Sequence, residues 1–179
     1  MHILAIDPAT NTGFARFEFG TSRVVSDVVS FDAELGAFNR QYRRWLTDQI
    51  KLYAITDVVI EAAILPTGNT NIITLKKAYA INMNTHDIAK ALGCSVTEVQ
   101  NGSWRAHFLV GRSAPKEQRG KGKLSRWYKQ AVKDRCAERG WPIRDDNEAD
   151  ALGLLDYARA QLDPAYAVHS TPLFEGIAS

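Results

Sequence analysis

The chain has 179 residues, of which 45% are hydrophobic and 23% charged, an ordinary composition for one globular domain with a substantial core. No stretch approaches the roughly 18 consecutive apolar residues of a membrane span, and the N-terminus lacks the basic and apolar segments of an export signal. We therefore expect a cytoplasmic protein without membrane contact.

The two cysteines, Cys94 and Cys136, stand in no CxxC or Cys/His spacing. This argues against both a disulfide framework and a structural zinc site. We predict that each is a small buried hydrophobic residue.

Charge is distributed unevenly along the chain. The net charge is +2, but residues 112–135 contain nine basic and two acidic residues, a local charge of +7 that leaves −5 elsewhere. One concentrated basic segment is typical of a protein that binds a polyanion, although a solvated helix face followed by a mobile loop has the same composition. The predicted DNA-binding residues are Arg105, Arg112, Lys116, Arg119, Lys121, Lys123, Arg126 and Lys133.

Turn residues and hydrophobic spacing divide the chain into strands and helices. The predicted order is a hairpin at residues 2–19, a strand at 23–31, a helix at 35–53, a strand at 57–63, a helix at 69–92, a strand at 95–99, a helical or looped unit at 101–111, a mobile loop at 113–123, and helices at 124–140 and 145–162.

The first strand contains an apolar run, residues 3–6, that ends at Asp7. Four consecutive apolar residues predict a strand covered on both faces, because a strand with one wet face alternates instead. Asp7 then lies where the strand leaves the core. An Asp at such a position is most often a turn former, so a catalytic role depends on which residues join it.

A second carboxylate, Glu61, directly follows three apolar residues, 58–60. A charged side chain is costly to bury unless it is paired or binds a cation. Glu61 is therefore expected either to emerge at the strand end or to meet a metal ion.

The last helix begins with four acidic residues, Asp145, Asp146, Glu148 and Asp150. Acidic residues at a helix N-terminus satisfy free amides and complement the macrodipole, which is the simpler interpretation. Asp150, however, lies beyond the cap, beside the apolar stripe and one turn from Asp146 and Asn147. A carboxylate directed inward there needs a cation.

Asp7, Glu61 and Asp150 converge if the first and fourth strands are neighbours, because both strands then end at the same edge of the sheet and the last helix can reach it. Three oxygen donors suit Mg²⁺ or Mn²⁺. Two such ions can activate a water and stabilise the leaving 3′ oxygen in phosphodiester hydrolysis.

Three segments, ILAIDPATNTGFA at 3–15, VVIEAAI at 58–64 and DNEADALGLLDYA at 146–158, resemble the motifs of RuvC-type Holliday-junction resolvases, especially the short forms encoded by phages. The resemblance implies a ribonuclease H-like fold of the α/β class. Its five-stranded mixed sheet has three antiparallel strands followed by two parallel ones, flanked by helices. The nuclease domain is expected over residues 1–162, and residues 163–179 are expected to form an extended tail.

In that family the carboxylates corresponding to Asp7, Glu61 and Asp150 bind metal, which implies two Mg²⁺ or Mn²⁺ ions per active site. A fourth ligand falls on Asn147, where the family usually has Asp or His. Asn147 can still offer its carbonyl oxygen, or Asp146 can substitute. A second departure is Ala9, where the family commonly has Gly.

The resemblance also covers residues 104–111 and the basic helix that follows. It implies that Lys129 is the catalytic lysine that approaches the scissile phosphate. Resolvases of this type act as two-fold dimers, and the helix at 69–92 is the expected dimer surface. Its apolar residues at helical spacing are Ile72, Leu75, Tyr79, Met83 and Ile88.

The predicted function is a metal-dependent endonuclease that resolves four-way or other branched DNA by paired nicks. Phosphate contacts would supply affinity, and junction shape would supply selectivity. Two alternatives remain: a catalytically silent branched-DNA binding module, suggested by Asn147, and a related nuclease that cuts flaps or RNA. An actin-like ATPase is disfavoured, because that class needs a second Gly-rich phosphate hairpin and about twice the length of this chain.

Overall fold

The computed structural model describes residues 1–21, 23–63, 71–120 and 122–170. Residues 64–70, which include the first two residues of the helix predicted at 69–92, lie outside the described residues, as do Lys121 and the end of the tail at 171–179. The elements are β1 (His2–Asp7), β2 (Asn11–Glu18), β3 (Val24–Ser30), α1 (Leu35–Leu52), β4 (Asp57–Glu61), α2 (Ile72–Ala91), β5 (Ser95–Val99), α3 (Asn101–Phe108), a 3₁₀ turn (Lys116–Gln118), α4 (Lys123–Glu138), α5 (Asp146–Leu162) and α6 (Pro164–Ser170).

The strands form one sheet in the order β3-β2-β1-β4-β5. Strand β2 is antiparallel to β1 and β3, whereas β4 is parallel to β1 and β5. This confirms the predicted α/β class and the ribonuclease H-like arrangement of three antiparallel strands followed by two parallel ones.

Strand β1 lies at the centre of the sheet and is covered on both faces, as its apolar run predicts. Ile3 and Ala5 pack into one core and Leu4 and Ile6 into the other, and all four are fully buried. Helices α3, α4 and α5 cover the first face, and α1 and α2 cover the second. Among the described residues, no helix is long and apolar enough to cross a lipid bilayer.

Helix α5 approaches β2 so closely that only glycine fits beneath its first turn. A Cβ built on Gly13 would lie 1.9 Å from the backbone carbonyl oxygen of Asn147. Gly13 also pairs in register with Asp7 on β1. The missing side chain therefore brings the start of α5 to the end of β1, since a strand glycine permits close approach of another backbone.

The prediction of an extended tail is wrong for residues 164–170, which form α6. Asp163 begins this helix, and its carboxylate accepts from the backbone amides of Ala165 and Tyr166. The Tyr166 hydroxyl donates to the buried carboxylate of Asp156 on α5. The contact with Asp156 holds α6 against α5; the domain boundary at 162 stays a prediction.

Both cysteines are unpaired and buried, which confirms their predicted role as small core residues. The Cys94 thiol donates to the backbone carbonyl of Ile55 at 3.1 Å. Burial raises the pKa of the Cys136 thiol.

Gly13→Ala is expected to destabilise the fold by about 2 to 3 kcal/mol, because the new methyl group would displace the backbone of α5. The free energy of unfolding in urea measures this cost. Gly102→Ala is the matched control: a Cβ there meets nothing within 4 Å, so its effect should be neutral or stabilising by less than about 1 kcal/mol. Equal stability of the two variants would contradict the close approach.

Candidate active site

Three carboxylates meet at one edge of the sheet. Asp7 and Glu61 are the last residues of the neighbouring parallel strands β1 and β4, and the register pairs Ile6 with Ile60, so the two carboxylates leave the sheet side by side. Asp150 lies on the second turn of α5. We call Asp7, Glu61 and Asp150 the carboxylate cluster.

Burial and like charge both act on the carboxylate cluster. The pKa of Asp7 is raised well above its usual value, first by burial and then by the negative charges of Glu61 and Asp150. Burial also raises the pKa of Asp150 to about 6, although the Arg105 guanidinium opposes the shift. The register of β1 and β4, and the contacts of α3 with both Glu61 and Asp150, bring the three carboxylates to the same edge of the sheet, as the strand ends and the last helix predicted.

Helix α3 holds Glu61 by both carboxylate oxygens. The side-chain amide of Asn101 donates to Oε1 at 2.9 Å, and the indole Nε1 of Trp104 donates to Oε2 at 2.8 Å. Asn101 and Trp104 are three residues apart, so they share one face of the helix. Sequence reasoning missed both roles; the usable signal was two donors at helical spacing directly after a strand.

Trp104 and Phe108 are both buried, which agrees with the packing predicted from their spacing. The Trp104 ring rests on Gly153 of α5, where an added Cβ would lie 2.6 Å from ring atom Cζ3. The missing side chain at Gly153 thus lets the indole reach Glu61.

Helix α3 also neutralises the charge of Asp150. The Arg105 guanidinium contacts Asp150 Oδ2 through Nη2 at 2.8 Å, with both side chains mostly buried. The second oxygen, Oδ1, is buried and has no hydrogen-bond partner within the described ranges. Arg105, predicted as a DNA-binding residue, therefore faces a carboxylate of the site in this structure.

Asp146 turns away from the cluster and toward α4. Its carboxylate pairs with the ammonium groups of Lys129, at 2.8 Å, and Lys133. The hydrogen bond from Lys129 is the main reason that the pKa of Asp146 is lowered. Asp146 would have to leave both lysines to replace Asn147 as a metal ligand, so the identity of the fourth ligand stays a prediction.

Lys129 stands at the rim of the site with its side chain half exposed. Its pKa is raised, first by the hydrogen bond to Asp146 and also by the charge of Asp150. The structure thus places the predicted catalytic lysine beside the carboxylate cluster.

The remaining predicted DNA-binding residues lie around α4 and the segment before it. Arg112 pairs with Glu138, and Arg119 donates from Nε to the carbonyl of Ala114 at 3.0 Å. Lys133 pairs with Asp146. The exposed members of the set with described positions are Arg112, Lys116, Arg119, Lys123 and Arg126.

The chemistry of the carboxylate cluster fits a divalent metal ion. Carboxylate oxygens are the donors that Mg²⁺ and Mn²⁺ prefer, and the raised pKa values of Asp7 and Asp150 show that positive charge would stabilise the ionised cluster. Within the described part of the chain, no three His, Cys, Asp or Glu side chains are spaced to hold one ion. In this structure α3 stabilises the carboxylates instead, through hydrogen bonds to Glu61 and the ion pair of Arg105 with Asp150.

Comparison with solved structures gives the same fold. RuvC of Thermus thermophilus in complex with a Holliday junction substrate superposes with a TM-score of 0.63 at 15% identity, over 91% of this chain and 96% of that chain. A second Thermus thermophilus RuvC structure gives 0.58 at 17% identity, over 90% and 96%. The chain has the fold of RuvC. No protein-family model matches the sequence, and no curated protein does.

Trp104→Phe is expected to lower the free energy of unfolding by about 1 to 3 kcal/mol, because it keeps the ring but leaves buried Glu61 without one donor. Urea denaturation measures the loss. Trp141→Phe is the control, since the Trp141 ring stacks on Phe108 in the same core and does not reach Glu61. Equal losses in the two variants would reduce Trp104 to a packing role.

Proposed function

We propose that this protein is a metal-dependent endonuclease that cuts four-way or other branched DNA. The observation that carries the proposal is the carboxylate cluster, in which two parallel strand ends and the last long helix bring Asp7, Glu61 and Asp150 together. The RuvC fold adds support, because the Thermus thermophilus RuvC that shares it is described in complex with a Holliday junction substrate.

In this proposal Asp7, Glu61 and Asp150 would hold two Mg²⁺ or Mn²⁺ ions, with Asn147 or Asp146 as a further oxygen ligand. Bound ions of this kind activate a water and stabilise the leaving 3′ oxygen. Lys129, half exposed beside Asp150, offers its ammonium group to the phosphate that is cut and offsets the charge that develops there.

The basic segment supplies the DNA-binding surface. The predicted DNA-binding residues that it exposes are Arg112, Lys116, Arg119, Lys123 and Arg126. Their contacts with phosphates would give affinity without base specificity and a steep dependence on salt concentration. Selectivity then comes from the shape of the branched substrate.

A two-fold dimer through α2 would place one active site on each of two strands. Of the apolar residues at helical spacing on α2, Ile72, Tyr79 and Met83 are 63%, 41% and 71% exposed, and Ile73 beside them is 53% exposed. Ile88, farther along the same helix, is buried. An apolar stripe left exposed on a long helix suits a second copy of the chain.

Asp7→Asn is expected to reduce cleavage by at least about 100-fold while junction binding persists, because the variant loses an ionised ligand but no phosphate contact. The assay uses a labelled immobile four-way junction with Mg²⁺, Mn²⁺ or EDTA, beside a linear duplex and a flap. Paired nicks near the crossover that require metal support the proposal.

Asp48→Asn, an exposed carboxylate on α1, is the control and should cut as the natural protein does. Loss of binding together with cleavage in Asp7→Asn would make Asp7 a structural residue. Junction binding by the natural protein without cleavage in either metal would favour the catalytically silent binding module.

Met83→Glu is expected to shift the protein to monomers without a loss of fold stability, because Met83 is exposed in the single chain and a charge opposes apolar association. Sedimentation velocity measures the mass, and the junction assay should then show single nicks in place of paired ones. Leu52→Glu, at an exposed apolar position on α1, should leave the mass unchanged. A natural protein that sediments as a monomer would contradict the α2 dimer.

A further inference from the structure

Arg105 is held against Asp150 by one ion pair and two aromatic rings. Its guanidinium carbon lies 5.0 Å from the ring centroid of Trp104 and 5.5 Å from that of Tyr128. Its Nε is buried and has no hydrogen-bond partner in the part of the chain that the structure describes. Few directional bonds therefore fix the guanidinium where it is.

The position of this guanidinium affects metal binding, because it pairs with Oδ2 of Asp150, a carboxylate of the site. Oδ2 is 2.8 Å from Arg105, and Oδ1 is enclosed in the protein. A cation that takes Asp150 as a ligand must approach a carboxylate already paired with a positive charge. Two cations this close repel each other strongly in a partly buried site, so Arg105 and a metal ion compete for Asp150.

A groove offers the released side chain a second position. It has a volume of about 560 Å³, runs between α3 and the start of α4, and is lined by Arg105, Arg112, Ser113 and Tyr128, with Asn101 at the same wall. The two arginines make it a suitable channel for a phosphate, because the planar guanidinium binds phosphate oxygens through two parallel hydrogen bonds.

We propose that Arg105 is a displaceable counter-ion of the active site: it pairs with Asp150 until a divalent cation binds, and then turns into the groove between α3 and α4 to bind a DNA phosphate next to the one that is cut. This inference rests on the proposed function. It gives Arg105 a role in cation binding that its basic charge alone does not indicate.

Competition of this kind couples metal to DNA. A metal ion that displaces Arg105 makes the guanidinium available to phosphate, and a phosphate that captures Arg105 opens Asp150 to the metal. Because such coupling is reciprocal, each ligand should increase the affinity of the other, and removal of the guanidinium should abolish that increase.

The test is Mn²⁺ binding to the full-length protein without DNA, measured by isothermal titration calorimetry for the natural protein, Arg105→Gln and Arg112→Gln. Arg105→Gln should bind Mn²⁺ about tenfold more tightly, because it removes the competing charge. Arg112→Gln should leave the affinity unchanged, since Arg112 lines the same groove but pairs with Glu138. Both variants should bind the four-way junction more weakly.

A second measurement does not depend on the stability of Arg105→Gln. In the natural protein, labelled with ¹⁵N and assigned by comparison with Arg105→Lys, the Nε–Hε resonance of Arg105 should shift when Mg²⁺ is added. Saturating Mg²⁺ that leaves this resonance unmoved would overturn the inference.

The outcomes separate this inference from the proposed function. If the natural protein binds Mn²⁺ and cuts the junction but Arg105→Gln binds Mn²⁺ with unchanged affinity, Arg105 is only a structural partner of Asp150 and the inference alone fails. If the natural protein neither binds Mn²⁺ nor cuts branched DNA, the proposed function fails and the inference fails with it.

Discussion

Repulsion among three neighbouring carboxylates, of which Glu61 is buried and Asp7 and Asp150 are partly buried, is the constraint on which the arrangement of this protein depends. The pKa values of Asp7 and Asp150 are raised because burial takes the groups out of water and like charges face them. Uncompensated charges of this kind oppose folding. The compensation in this structure comes from one short helix, α3, through Asn101, Trp104 and Arg105.

Two glycines make this compensation sterically possible. Gly13 lets the first turn of α5 approach the end of β1, and Gly153 lets the Trp104 ring lie close enough to α5 for its indole to reach Glu61. Packing and site chemistry are therefore connected: the contacts that position α5 also set the distances among charged groups. The site obtains its geometry from backbone proximity as much as from its carboxylates.

Much of the fold followed from the sequence, because strand and helix periodicity and turn residues are local properties. The apolar run at 3–6 predicted a strand covered on both faces, and Asp7, Glu61 and Asp150 each followed or adjoined an apolar segment that predicted its position at an element end. Their convergence required one assumption, that β1 and β4 are neighbours, and the sheet order confirms it. The burial of both cysteines was also predictable, because a free cysteine behaves as a small hydrophobic residue.

Tertiary structure decided which partner each charged residue has, because such pairs join residues far apart in the chain. Arg105 reads in the sequence as a phosphate contact, yet it pairs with Asp150, 45 positions away. Met83 and Ile88 have the same helical spacing in the sequence, yet Met83 is exposed and Ile88 is buried, since α2 turns residues such as Ile81 toward the sheet. Sequence patterns determined the elements and their carboxylates; only the packing of α3, α4 and α5 decided the charge pairing around them.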